Sequence, residues 1–412
     1  MVYCELSGPV AASPRESETP NTAQRHGALR IGVPGLLTLA IVYGYGRYGY
    51  GLFLPQLRRE FGGSAGILGA VTSVGYLAEL VVLLVVARLS GRCGARVPVV
   101  IGGLCAAAGM GLMAAAHNTA ALAIGVALAG TAPGWVWAPY SDAVAASTRP
   151  DARGNALSMI STGTTFGVLV AGPAALLVSG SGWRTIWFTA ACCALAVTAW
   201  NFYVLPKSAH PTPPDNHAGG PRWSALLREA RHRRLLAVAF SGGLVGAVFW
   251  SYAGILVRGG VGAPLLWTVI GVTGLAGIGT GALVAKWGMP TVFGAAQVCI
   301  LLSCVILAMG RPSVVLFVAA GALYGAGFMV AGAVVPLWSA RLFPDRPTAG
   351  FSVAVIALAA GSASGPAAFG VLVDLFDIQF MFAVLSIVVA ATVLVRPRRR
   401  DVGSLGRRVS TP

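Results

Sequence analysis

Twelve apolar runs punctuate the chain, at about 31–55, 66–87, 97–116, 119–144, 154–179 and 183–205, then at about 235–257, 264–286, 291–309, 313–339, 349–373 and 377–395. At about 1.5 Å of rise per helical residue, each is long enough to cross about 30 Å of hydrocarbon. The pattern predicts an all-α integral membrane protein with twelve transmembrane helices. Residues 1–30 are polar and rich in Pro, Ser, Thr and Glu. They read as a disordered tail without the apolar core of a secretory leader. A hydrophilic linker at 206–234 separates a first group of six runs (31–205) from a second (235–396), and a basic tail at 397–412 closes the chain. In the linker, Trp223, Leu226, Leu227 and Ala230 share a helical face opposite several arginines. This fits either an amphipathic helix on the inner leaflet or a solvated linker.

Composition supports the membrane reading. Hydrophobic residues make up 56% of the 412 positions and charged residues only 10%, against about 25% in soluble domains. The net charge of +16 would suggest nucleic acid in a soluble protein, but its placement gives another meaning. Loops on one side of the twelve runs, with both tails, hold 23 Lys and Arg, and the opposite loops hold five. The positive-inside rule then puts both termini in the cytoplasm and removes the need for a nucleic-acid partner. Twenty-seven arginines against two lysines point to a GC-rich bacterial genome, hence a bacterial cytoplasmic membrane. The seven cysteines form no C-x-x-C pair, and the five histidines lie outside the apolar runs. No metal site, disulfide framework, cofactor motif or catalytic constellation follows from such spacing.

The two halves are similar at an offset of about 195. Ala87–Gly94 after the second run matches Gly281–Gly288 after the eighth, Pro139 matches Pro336, Gly154 matches Gly350, and Gly172-Pro173 matches Gly365-Pro366. Pseudo-repeats of this kind place a binding site between the halves, near the midplane. With these features the chain resembles the major facilitator superfamily over residues 31–396. That family's loop signature between helices 2 and 3, G-x-L-x-D-R-x-G-R-R, is kept here at Leu89, Arg92, Gly94 and Arg96 and lost at Ala87, Gly91 and Ala95. Helix 1, with Gly44-Tyr45-Gly46-Arg47-Tyr48-Gly49-Tyr50-Gly51, is similar to the YbfB-like branch. The resemblance implies two six-helix halves, alternating access, and a cavity lined by helices 1, 4, 7 and 10. Those runs hold Tyr43 and Tyr50, Trp137 and Tyr140, Trp250 and Tyr252, and Tyr324 and Phe328. The family's antiport-associated G-x-x-x-G-P spacing occurs here in the eleventh run, at Gly361, Gly365 and Pro366. Gly163 and Gly167 in the fifth run have the small-residue spacing of close helix packing.

Three ionisable residues fall within the runs, where each is costly unless paired or hydrated. Arg47 shares a helical face with Tyr43, Tyr50 and Leu54. Its planar fork suits an anion, or it is an interfacial belt residue or half of a structural pair. Glu79 shares a face with Thr72 and Tyr76. It is a candidate proton carrier, or it ties helices together. Asp142 stands where Arg92 or Arg96 of the basic loop could pair with it, as a moving gate or as a static contact.

The expectation is a functional monomer that moves a small organic anion through the bilayer by alternating access. Arg47, Tyr43, Tyr50, Trp137, Tyr140, Tyr252 and Tyr324 would meet the solute, Glu79 would couple protons, and Asp142, Arg92 and Arg96 would gate. A proton-driven exporter of lipophilic compounds and an uncoupled facilitator are the alternatives, and an enzyme is not expected.

Overall fold

The computed structural model describes residues 22–89, 94–148, 150–178, 182–206, 230–256, 262–310, 312–343 and 347–397, and its described elements are all helical. The apolar runs become α1 (Leu29–Phe61), α2 (Ala65–Val86), α3 (Arg96–Ala115), α4 (Thr119–Ser147), α5 (Ala152–Leu176), α6 (Gly182–Val204), α7 (Ala230–Ile255), α8 (Gly262–Trp287), α9 (Met289–Ala308), α10 (Val314–Leu342), α11 (Gly350–Leu375) and the shorter α12 (Ile378–Leu394). Eleven of these are long and apolar enough to cross a bilayer, and α12 is an apolar helix of 17 residues.

Three boundaries differ from the sequence expectation. Helix already forms at Thr22, so the last polar residues of the expected tail continue α1. At its other end α1 runs through Pro55 to Phe61. There Glu60 accepts from Arg184 Nη2 at 2.5 Å and from Trp183 Nε1 at 3.0 Å, holding the added turns to α6. Helix α7 begins at Ala230, inside the expected linker, and carries His232 stacked on Phe343 at 4.5 Å. The rest of the expected amphipathic segment lies outside the described residues, as do Arg92 and most of the two tails.

The packing repeats with a shift of six helices. Helix α1 packs on α5, α2 on α4, and α3 on α4 and α6; correspondingly α7 packs on α11, α8 on α10, and α9 on α10 and α12. The halves meet along α2 with α11 and along α5 with α8. Lipid provides no hydrophobic drive between helices, so backbones must approach closely for dispersion to hold them. A Cβ on Gly163 or Gly167 would run into the carbonyls of Leu36 or Ala40 on α1, and one on Gly361 into that of Phe240 on α7. The loops after α2 and α8 also match. Gly94 (φ +64°) and Gly288 (φ +80°) turn the chain in the left-handed region that disfavours a side chain.

Several contacts among the described residues join the two halves. At the end away from where α1 begins and α12 ends, the Asp374 carboxylate of α11 accepts from the backbone N–H groups of Ala65 (2.8 Å) and Gly66 (2.7 Å) on α2. Orphan amides at a helix N-terminus are thus capped by a side chain from the opposite half. The Tyr252 hydroxyl of α7 lies 2.8 Å from the Pro366 carbonyl and 3.1 Å from that of Ala65, and Ala367 N–H donates to Ser73 Oγ at 3.0 Å. These ties, with those of Arg47 to Ser362, Thr165 to Met329 and Tyr48 to Trp250, join described residues of the two halves between the bundle's middle and this far end. The far end is therefore closed. Asp374→Ala, which removes both acceptors, should cost the closed form about 1 kcal/mol, or about fivefold in the opening equilibrium. Spin-label distances across the far end should broaden towards longer values; an unchanged distribution would exclude the latch.

Candidate functional site

Within α1, residues Ala40–Arg47 wind as a π-helix, and Tyr48 N–H donates to the Tyr43 carbonyl five residues back at 3.2 Å. Packing on either side explains the wide turn. Before it, a Cβ on Gly163 of α5 would run into the Leu36 carbonyl, so α1 is pinned to α5. Beyond it, a Cβ on Gly49 would meet the Trp187 ring of α6 at 2.9 Å, and Gly51 abuts the Trp250 backbone of α7. The π turn takes up the residue that an α-helix between these anchors would have to misplace. Such turns recur at functional sites.

The turn delivers Arg47 to the bundle interior, with only 5% of its side chain exposed. Its Nη1 pairs with Glu79 Oε2 on α2, an equally buried carboxylate. Its Nη2 donates to Ser362 Oγ on α11 at 3.4 Å, and Ser362 donates onward to the Gly243 carbonyl of α7 at 3.2 Å. One guanidinium thus connects both halves. Three ring centroids surround its carbon: Tyr76 at 4.8 Å, and Tyr43 and Tyr48 each at 5.7 Å. These distances are within cation–π range. The Nε–H of Arg47 has no acceptor. Beside the pair lies a cavity of about 20 Å³, lined among others by Tyr50, Thr72, Tyr76 and Gly130. That is room for about one water.

The Major Facilitator Superfamily model matches residues 36–291, well over half the chain. The chain belongs to the Major Facilitator Superfamily. Among solved structures, it is similar to the crystal structure of a mutant form of the nucleoside transporter NupG, with a TM-score of 0.74 and 11% sequence identity, covering 89% of this chain and 98% of that one. At that identity the likeness is one of fold. No curated protein sequence matches the chain. Membership makes it a multi-pass membrane transporter of a small solute rather than an enzyme.

The candidate residues separate within this superfamily fold. Arg47, Glu79 and Tyr43 form one cluster. Tyr50 is buried beside it, donating from its hydroxyl to the Leu68 carbonyl at 3.3 Å. Tyr324 is fully buried among the aromatics of the second half, 5.9 Å from Trp250 between ring centroids. Tyr252 belongs to the far-end closure. Tyr140 meets Thr38 Oγ1 at 2.8 Å and Asn201 Oδ1 at 2.7 Å, joining α4 to α1 and α6. Trp137 is half-buried. Asp142 is exposed, and among the described residues Arg96 makes no ion pair with it. Arg96 instead donates to the Leu205 carbonyl, with Nε at 2.7 Å, and lies 5.4 Å from the Phe202 ring centroid.

Sequence reasoning missed Tyr48, Ser362 and Asp374. Tyr48 follows Arg47 directly and so falls outside the i, i+4 and i+7 face by which the partners of Arg47 are sought in a sequence. Ser362 is one small residue among many in α11. Asp374 was visible as an acid near a helix end, but its partners are backbone amides.

Replacing either member of the Arg47–Glu79 pair leaves a buried charge unmatched. Arg47→Leu and Glu79→Leu should each destabilise by about 3–5 kcal/mol, and the double variant by much less than their sum. Thermal unfolding in detergent measures the cycle, and additive losses would mean that the two charges do not depend on each other.

Proposed function

We propose that this transporter moves a small organic anion together with a proton, and that the anion and Glu79 compete for Arg47. The buried ion pair carries this reading. In the empty protein Glu79 neutralises the guanidinium. An entering carboxylate adds a negative charge that the apolar interior does not tolerate unless Glu79 takes up a proton. The loaded site then has the same net charge as the empty one, which fixes one proton per monoanion. A neutral solute such as a nucleoside has no charge with which to displace Glu79.

The charge asymmetry of the loops supports an orientation with both termini in the cytoplasm. The closed far end then faces outward. Proton and solute drive the opposite conformation only through different affinities for the two states. Asp142, Arg96 and Arg92, the last known from the sequence alone, are the gate candidates on the cytoplasmic side. The run Gly44–Gly51, which begins inside the π turn, also carries the proposed affinity with the YbfB-like branch. A bacterial cytoplasmic membrane and a functional monomer complete the reading.

Thermal-shift titration of the purified protein with monocarboxylates, and separately with tetraphenylphosphonium, tests it. A ligand at about 100 times its Kd adds about 2.7 kcal/mol of stability. Acids should stabilise the wild type more strongly as pH falls towards, but stays above, their own titration range. Glu79→Gln should bind them with little pH dependence, and Arg47→Gln should not bind them. Equal stabilisation of wild type and Arg47→Gln by the cation, with no response to acids, would favour a lipophilic-cation exporter. In proteoliposomes, Glu79→Gln should exchange acid but lose accumulation driven by a pH gradient, whereas an uncoupled facilitator would transport unchanged.

A further inference from the structure

Tyr48, the residue after Arg47, stacks on Trp250 of α7 with ring centroids 4.6 Å apart and planes 25° from parallel. Among the described residues it is the ring stack that joins the two halves. Trp250 is 1% exposed and lies 5.0 Å from Trp267, 5.9 Å from Tyr324 and 6.1 Å from Phe328 between ring centroids. Within this cluster, Trp250 Nε1, Trp267 Nε1, the Tyr324 hydroxyl and Arg47 Nε are all buried without a hydrogen-bond partner. Buried donors left unmatched are costly, and they are few in well-packed proteins. Three of them sit on rings that neighbour one another, and the fourth belongs to the guanidinium beside Tyr48.

From this we infer the class of solute: a carboxylic acid whose body is a flat aromatic ring bearing further hydrogen-bond acceptors. The inference rests on the anion reading above and adds what the rest of the molecule must be. Tyr48 belongs to the first half and Trp250 to the second. Separating the halves at the far end therefore parts the two rings and bares the indole face beside Arg47. A solute ring takes the place of the Tyr48 ring on Trp250, its carboxylate takes the guanidinium, and its ring acceptors meet the indole and phenol donors. A saturated acid of the same size satisfies the guanidinium alone. The Tyr48 ring and the ring of the solute are thus alternatives at one indole face, and with solute bound the far end closes through the contacts of Asp374 and Tyr252.

The test uses the full-length protein in detergent with four probes: cyclohexanecarboxylate, benzoate, nicotinate and benzamide. Affinity is read by thermal shift and by quenching of tryptophan fluorescence. Benzoate should bind about tenfold more tightly than cyclohexanecarboxylate, nicotinate at least as tightly as benzoate, and benzamide not measurably. Trp250→Phe should keep the preference for benzoate and lose any advantage of nicotinate. Trp250→Leu should bring benzoate and cyclohexanecarboxylate within about threefold of each other. If that variant does not fold, the ranking of the four probes on the wild type and on Trp250→Phe still decides. Equal affinity for the saturated and aromatic acids would overturn the aromatic assignment while leaving the anion reading in place. Binding of benzamide as tight as benzoate, or no binding by any of the acids, would overturn both.

Discussion

Keeping a guanidinium charged at the centre of an apolar bundle constrains everything packed around it, because no water is at hand to replace its hydration. Arg47 needs an anion, ring faces and spare acceptors at once, and they come from two helices besides its own. Glu79 stands on α2, Tyr76 one turn before it, and Ser362 on α11 of the other half. The ion pair therefore does more than neutralise two charges. It specifies how α1, α2 and α11 sit relative to one another, and any rearrangement of the halves must change the surroundings of the same cation.

The remainder of the bundle is held by close approach of small residues. Glycines on α5 and α11 let α1 and α7 come to backbone contact, and this arrangement recurs in both halves. The site itself does not recur. The first half supplies the ion pair and the π turn, and the second supplies a cluster of aromatics with unmatched donors. A symmetric scaffold thus carries asymmetric chemistry, with the buried charges in one half and the ring cluster in the other.

Much of this was legible in the sequence because lipid forces long, continuous apolar segments, and each of the twelve runs lies where a helix is found. The pairing of repeats could be read from Pro139 with Pro336 and from the turn glycines at 94 and 288. The partnership of Arg47 with Glu79 could not. Each was recognisable as an intramembrane charge, but helix periodicity gives the face of a residue and not the helix opposite. Helix α1 outruns its expected end at Pro55 because a proline ends a helix in water more readily than inside a bundle. Tyr140 and Tyr252 were candidates as aromatics on cavity-lining helices. Their hydroxyls instead satisfy groups on neighbouring helices, and a sequence carries no mark that separates such a tie from a ligand contact.

The π turn in α1 has a genealogical side. A π-helical segment is an α-helix carrying more residues than its turns require, so α1 amounts to two helical pieces on one backbone, each in phase with a different neighbour. Removal of a single residue between Ala40 and Gly46 would let the ladder close as an ordinary α-helix while both pieces kept the phase they have now, because the wider turn rotates less per residue than an α-helix does. Arg47 and Tyr48 would keep their places beside Glu79 and Trp250, and Leu36 its seat on α5. The wide turn thus absorbs one residue of chain length without moving the site. A relative with one residue fewer in this stretch would carry the same site on an unbroken α-helix.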